Sequence, residues 1–215
     1  PQNISIPMFS NFVEHEKMKS LQNHAHSILV TADTVVLKGE CESKTIHFAG
    51  NKPDNTIEVA YLMRLKDCPQ PQLHKQLEIK FVETDAQLQQ YGYILSQRTL
   101  SCEGQSQCQI KKWFSQLNVS QLDPRQSLFV GTIEQTPVCI GQIFKTGECC
   151  GIYEVNVLKS FRKRGLGAEM CRFLVDQAQN EYKTEQIELI SSEEGHSIYL
   201  KLGFEDLSQV YVTND

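Results

Sequence analysis

No apolar run in this 215-residue chain approaches the ~18 residues that a membrane span needs. The longest are fragments such as SILV (27–30) and TVVL (34–37), so no membrane partner is expected. No basic-then-apolar leader precedes the first element, which sets the expectation of a cytoplasmic protein. An excess of basic charge is also missing. Twenty-one Lys and Arg stand against 26 Asp and Glu, for a net charge of −5, and so acidic a chain is a poor general binder of nucleic acid. The first 75 residues hold 8 basic and 8 acidic side chains, leaving 13 and 18 for the rest. The eight cysteines (41, 68, 102, 108, 139, 149, 150 and 171) form no C-x-x-C and no zinc-type spacing. Reduced thiols packed as small hydrophobes are the expectation. On this reading Cys149-Cys150 is a strand end with two small residues, rather than a redox sensor. His24-Ala25-His26 offers two imidazoles with no carboxylate or cysteine at ligand spacing, so no metal is expected. There is no repeat and no low-complexity tract. What remains is ordinary globular composition, 40% hydrophobic and 22% charged.

Two stretches read differently. Up to residue 75 a helix over 10–22 is followed by strand-like runs at 27–30, 34–39, 45–50 and 56–65, with the turn tetrad KPDN at 52–55. The proline-bearing DCPQPQ (67–72) reads as a linker. Residues 1–75 are therefore expected to form a small α+β N-terminal subdomain, and 76–215 a second domain. In the second, LEIKFVE (77–83) alternates as a strand, and 85–97 carries Leu88, Tyr91 and Leu95 on one helical face. SCEGQS (101–106) reads as a loop. Ile110, Trp113, Phe114 and Leu117 follow at i, i+3, i+4, i+7, the spacing of an amphipathic helix over 107–118. A hairpin (127–134 and 137–145), a strand (151–158), a helix from the glycine-rich FRKRGLGAEM, a strand (186–192), a short helix (196–204) and a last strand (207–213) complete the order β-α-α-β-β-β-α-β-α-β. That order is a mixed α+β one, not strict βαβ alternation.

The sharpest local signal is Arg162-Lys163-Arg164-Gly165-Leu166-Gly167-Ala168, between a strand and a well-patterned helix. Amides at a helix start lack intrahelical acceptors and lie at the positive end of the dipole. Glycines let an anion approach those amides closely, and Lys159, Arg162, Lys163 and Arg164 add positive charge. A diphosphate suits such a turn; the plainer alternative is a basic helix start with incidental glycines. The Walker pattern G-x-x-x-x-G-K-[ST] is not met, and G-x-G-x-x-G fails at Met170. What fits is [QR]-x-x-G-x-[GA], at Arg162, Gly165 and Gly167.

One strand further on stands Ile198-Tyr199-Leu200-Lys201-Leu202-Gly203-Phe204, of the form L/I-Y-x-x-x-G-F. Together the two motifs resemble the acetyl-CoA turn and tyrosine helix of the GNAT N-acetyltransferase superfamily. Order and spacing match from 151 to 204 and, more weakly, back to 77. The chain departs from the family in having Ser192 where many members have Asn, and Gly195 where many have Ala. The resemblance implies a GNAT-like mixed sheet with flanking helices. It implies transfer of an acetyl group from acetyl-CoA to a primary amine of a small molecule or protein, by direct attack in a ternary complex. The alternative is an acyl-CoA-binding sensor or adaptor without turnover.

The site residues follow from the resemblance, position by position. The turn from Arg162 to Ala168 (Arg162, Lys163, Arg164, Gly165, Leu166, Gly167, Ala168) would hold the diphosphate. Backbone groups of Val155, Asn156 and Val157 would pair with the pantetheine arm and supply an oxyanion donor. Ser192 would hydrogen-bond that arm, and Tyr199 would face the departing sulfur. A tyrosine titrates near about 10 and a thiol near about 8.5, so Tyr199 is expected to act as a hydrogen-bond donor to the thiolate. Glu154 is the expected base, and strand alternation places it with Ile152 and Asn156. Glu193 and Glu194 are alternatives that could bind a cationic acceptor, and His196 reads as helix-start polar chemistry.

Overall fold

A computed structural model describes residues 6–23, 26–31, 33–39, 43–48, 50–67, 76–97, 103–147, 149–184 and 186–214. The linker expected at 67–72 lies, apart from Asp67, outside them. The architecture is the mixed α+β one expected. It comprises two compact units: Pro1–Pro69 with Lys145–Gly151 and Thr184–Asp215, and Gln70–Phe144 with Ile152–Lys183. The units thus cross the boundary expected at residue 75.

The first unit holds helix α1 (Ile6–Asn23) and strands β1 (His26–Val30), β2 (Thr34–Gly39), β3 (Ser43–His47) and β4 (Thr56–Leu65). It also holds β9 (Gln186–Ser192), α5 (Glu193–Lys201) and β10 (Phe204–Asn214). Its strands run in the order β1-β2-β3-β10-β4-β9. β10 is antiparallel to β3 on one side (Tyr211 opposite His47) and to β4 on the other (Tyr211 opposite Val59). β4 is antiparallel to β9, with Tyr61 opposite Ser191. Phe9 and Phe12 of α1 close edge-on and tilted over Phe48, at 5.0 and 5.2 Å. Asn11 donates to Thr146 Oγ1 (2.8 Å), tying α1 to the 145–151 segment. The fully buried Glu188 accepts from both Nε and Nη2 of Arg64 at 2.6 Å, the paired state that a buried carboxylate requires.

The second unit holds β5 (Glu78–Phe81), α2 (Asp85–Ser96), α3 (Glu103–Gln116), β6 (Gln126–Ile133), β7 (Thr136–Thr146, to Phe144) and α4 (Leu166–Asn180). It takes β8 (Cys149–Val157) from Ile152 onward. Its strand order is β8-β7-β6-β5. Thr84 and Gln87 cap α2 reciprocally. The β6–β7 hairpin turns on Glu134 and Gln135, both left-handed (φ 48° and 65°), the geometry of a two-residue hairpin turn. Alternation along β6 and β7 gives the sheet two faces. Leu128, Val130 and Ile140 meet Leu88, Tyr91, Ile94 and Phe114 of α2 and α3. On the other face, Gly141 leaves room for α4: a Cβ there would stand 2.7 Å from Leu174 Cδ1 and 2.9 Å from Met170 Cγ. Helix α3 begins at Glu103, four residues before the expected start. Its first turn, Glu-Gly-Gln-Ser, has no apolar stripe for periodicity to detect.

Candidate active site

Of the expected site residues, Glu154 to Val157 and Arg162 to Ala168 belong to the second unit, and Ser192 and Tyr199 to the first. In the second unit, β8 passes through Leu158 and a 3-10 turn (Lys159–Phe161) into the glycine-rich bend. Lys163 and Gly165 are left-handed there, at φ 61° and 81°. Gly165 is the N-cap of α4, and its backbone is one that L side chains adopt only with strain. The first helical bond runs from the Glu169 N–H to Gly165 O (3.0 Å). The amides of Leu166, Gly167 and Ala168 ahead of it have no intrahelical acceptor. A Cβ built at Gly165 meets nothing within 4 Å, and one at Gly167 meets only Val157 Cγ2 at 3.6 Å, so the approach to these amides is open. Arg162 Nε donates to Val157 O (3.0 Å). Arg164 donates to Ser160 O (3.3 Å) and lies over the Phe161 ring at 5.2 Å. Lys159, Arg162, Lys163 and Arg164 are all exposed. Free amides, a positive helix end and four cations suit a diphosphate.

β8 is irregular at one of the expected site residues. Glu154 is left-handed, φ 52°, inside the strand. Such a residue turns the pleat, so the two-residue period fails across it. Strict alternation therefore does not by itself assign Glu154 to the face of Ile152 and Asn156. Those two are buried, whereas Tyr153, Glu154 and Val155 are all half-buried. Nothing in the sequence signals this, because glutamate is not a residue that favours φ > 0. Asn156 donates its side-chain amide to Ile94 O (2.9 Å) at the end of α2. Val157 is half-buried.

In the first unit, α5 begins at its N-cap Ser192, whose Oγ accepts from the Gly195 N–H at 3.3 Å. The helix starts three residues before the stretch expected from periodicity. Glu193 and Glu194 fill its first turn, exposed, where they complement the dipole. Tyr199 is half-buried, its ring edge-on to Phe204 at 6.0 Å and 75°. Gly195 makes room for it: a Cβ there would stand 3.1 Å from Tyr199 Cε2. The Nε2–H of His196 donates to Asp206 Oδ1 at 2.7 Å, and its ring stacks on Tyr61 at 3.8 Å and 13°. Sequence reading missed Tyr61 and Asp206. They stand on β4 and β10, and only the sheet order brings them under α5.

Cys139, Cys149, Cys150 and Cys171 are free and buried. Burial pushes the Cys139 thiol up to about 12, with the charge of Glu169 adding to it. Burial, Glu188 and then Cys150 push Cys149 up to about 12. These thiols are packed as expected, and their raised pKa values oppose thiolate chemistry. Among the described residues no group of three His, Cys, Asp or Glu could hold a metal, and no helix is long and apolar enough to cross a membrane. The side chains of His24 and His26 lie outside the described residues.

Comparison with known proteins places the fold. It is similar to a GCN5-related N-acetyltransferase from Kribbella flavida (12% identity, TM-score 0.64), over 99% of this chain and 96% of that one. A functionally unknown conserved protein from Staphylococcus epidermidis is similar at 16% identity and TM-score 0.60, over 74% of this chain and 61% of that one. A GNAT-family chain from Novosphingobium aromaticivorans is similar at 13% identity and TM-score 0.54, over 91% and 78%. No curated protein gives a significant match. The acetyltransferase (GNAT) domain family matches residues 101–215, which take in the glycine-rich turn and the tyrosine helix, and the chain belongs to that family.

Proposed function

We propose that the protein transfers an acetyl group from acetyl-CoA to a primary amine of a small molecule or protein, both bound at once. The observation that carries this reading is the turn at Gly165, where open amides, a helix dipole and exposed cations meet. In it, the N–H groups of Leu166, Gly167 and Ala168 hold the diphosphate, with Arg162, Lys163 and Arg164 around them. Backbone groups of Val155 to Val157 take the amides of the pantetheine arm as an added strand would. Ser192 has its Oγ engaged as acceptor by Gly195 and still has a hydroxyl proton to offer that arm.

The acceptor nitrogen attacks the thioester carbon, and the C–S bond breaks as the C–N bond is completed. One β8 amide N–H stabilises the charge that develops on the thioester oxygen, an effect worth roughly 3 kcal/mol at comparable sites. The proton lost by nitrogen goes to Glu154, whose left-handed backbone is the kind of strain that concentrates at functional sites. The Tyr199 hydroxyl donates to the departing thiolate.

Calorimetric titration with acetyl-CoA tests the turn. Gly165→Glu sets a carboxylate against the diphosphate and strains the backbone, and it should abolish measurable binding. Unchanged affinity would reject the reading. Free-thiol release with a panel of amines, for the wild type and Tyr199→Phe, tests turnover. Binding with no amine-dependent release would favour a sensor module instead.

A further inference from the structure

Helix α5 is a short element with little to hold it. None of its nine residues is buried, and Ile198 and Leu200 are 44% and 45% exposed. A helix of this length is not stable alone, and burial of an apolar face usually fixes it. Here polar and ring contacts take that part. The most constraining is at His196, whose ring lies parallel on Tyr61 of β4 (3.8 Å, 13°) while Nε2 meets Asp206 of β10 at 2.7 Å. Stacking restrains the ring in one direction and the hydrogen bond in another. Tyr61 and Met63 share one face of β4, and Asp206 is the register partner of Met63, so both jaws stand on the face that carries α5. The β10–β4 register slips between Asp206 and Ser208. Such a bulge re-aims the side chains beside it.

His196 and Tyr199 are three residues apart, hence neighbours on the helix surface. A rotation of ~10° about the axis moves a side chain at ~6 Å radius by about 1 Å. A displacement of that size can cost about 10²-fold in rate. We propose that His196, gripped between the Tyr61 ring and the Asp206 carboxylate, is a positioning residue that fixes the rotation of α5 and so aims the Tyr199 hydroxyl. The inference rests on the reading of Tyr199 as the donor to the thiolate.

The test uses the full chain with His196→Ala, Asp206→Asn and His196→Gln, each alone and combined with Tyr199→Phe. Folding is checked by circular dichroism. His196→Ala and Asp206→Asn should lower kcat by about 10- to 100-fold, with KM for acetyl-CoA moved by less than about threefold. In the Tyr199→Phe background they should add nothing. His196→Gln, which keeps an N–H for Asp206, should recover most of the rate. Losses that add to that of Tyr199→Phe would mean that His196 acts on the reactants itself, and they would overturn the proposal, as would an unchanged kcat. Should His196→Ala fail to fold, Asp206→Asn and His196→Gln decide by the same criteria. A second readout needs no turnover: the ring signals of Tyr199 in 13C-tyrosine spectra, assigned by their loss in Tyr199→Phe. They should shift in Asp206→Asn and His196→Ala and return towards wild type in His196→Gln. Ring signals that stay fixed in all three would overturn the proposal. A wild type without turnover would refute acetyl transfer and leave this spectroscopic test standing.

Discussion

Helices α4 and α5 each carry one of the family's motifs, and they are held in opposite ways. Seven residues of α4 are buried, among them Leu166, Met170, Leu174 and Ala178. A glycine in the sheet beneath, Gly141, lets the helix come close. None of the nine residues of α5 is buried; its buried C-cap Leu202, an N-cap, a stacked histidine and a tyrosine edge contact help to hold it. The lesson is a division of labour. The helix whose start is proposed to hold the diphosphate is fixed by packing, so damage there should appear first as lost stability. The helix that carries the hydroxyl is fixed by a few directional contacts, so damage there should appear first as lost rate.

The largest expected effect strikes the packed helix. Gly141→Val should destabilise by about 3 kcal/mol or more, because its branches would enter the space of Leu174 and Met170. Urea unfolding measures this, and a loss below 1 kcal/mol, roughly the tolerance of a well-relaxing core, would break the contrast. Alkaline pH should come next. An unfolded thiol loses its proton above about 9, whereas the folded Cys139 and Cys149 thiols, raised chiefly by burial, hold theirs up to about 12. The unfolded chain is then the first to release protons, so stability is full below pH 9 and falls as pH rises from there towards 12. At pH 10 the two together should remove roughly 2–3 kcal/mol. Replacing Cys139 by Ala should make that slope shallower, since it removes one of the thiols that burial raises.

Gly195→Ala sharpens the other side. Alanine favours a helix by up to about 1 kcal/mol over glycine, but its methyl would press on Tyr199 Cε2 at 3.1 Å. The melting temperature should stay level or rise slightly while kcat falls. A fall in both would mean that α5 is held by packing after all. The smallest effect belongs to Ile198→Gln on the exposed face of α5, which should leave stability within about 0.5 kcal/mol and the rate unchanged.

The order of elements from β5 to β10 was legible because each has a strong period or a strong stop: Trp113 and Phe114 in α3, the stripe of α4, and Gly203, left-handed at φ 87° just past α5. Helix starts were less legible. Glu103 and Ser192 begin helices with polar turns, which periodicity passes over. The turn residues at 162–168 were readable since glycine with φ > 0 and exposed cations are local properties. The companions of Tyr199 were not. Tyr61 and Asp206 are 138 and 7 residues from it in sequence, and they meet His196 only through the pairing of β4 with β10. The bend at Glu154 was illegible too, since its residue type argues against it.

β10 lies between β3 and β4, antiparallel to both, though some 140 residues separate it from β4. During synthesis, β1 to β4 leave the ribosome well before β10, the strand that lies between β3 and β4. Until it emerges, β3 and β4 each expose a row of unpaired amides and carbonyls to any passing strand. Closure of so distant a pairing is slow, and the nascent chain should depend on chaperone shelter over exactly that interval.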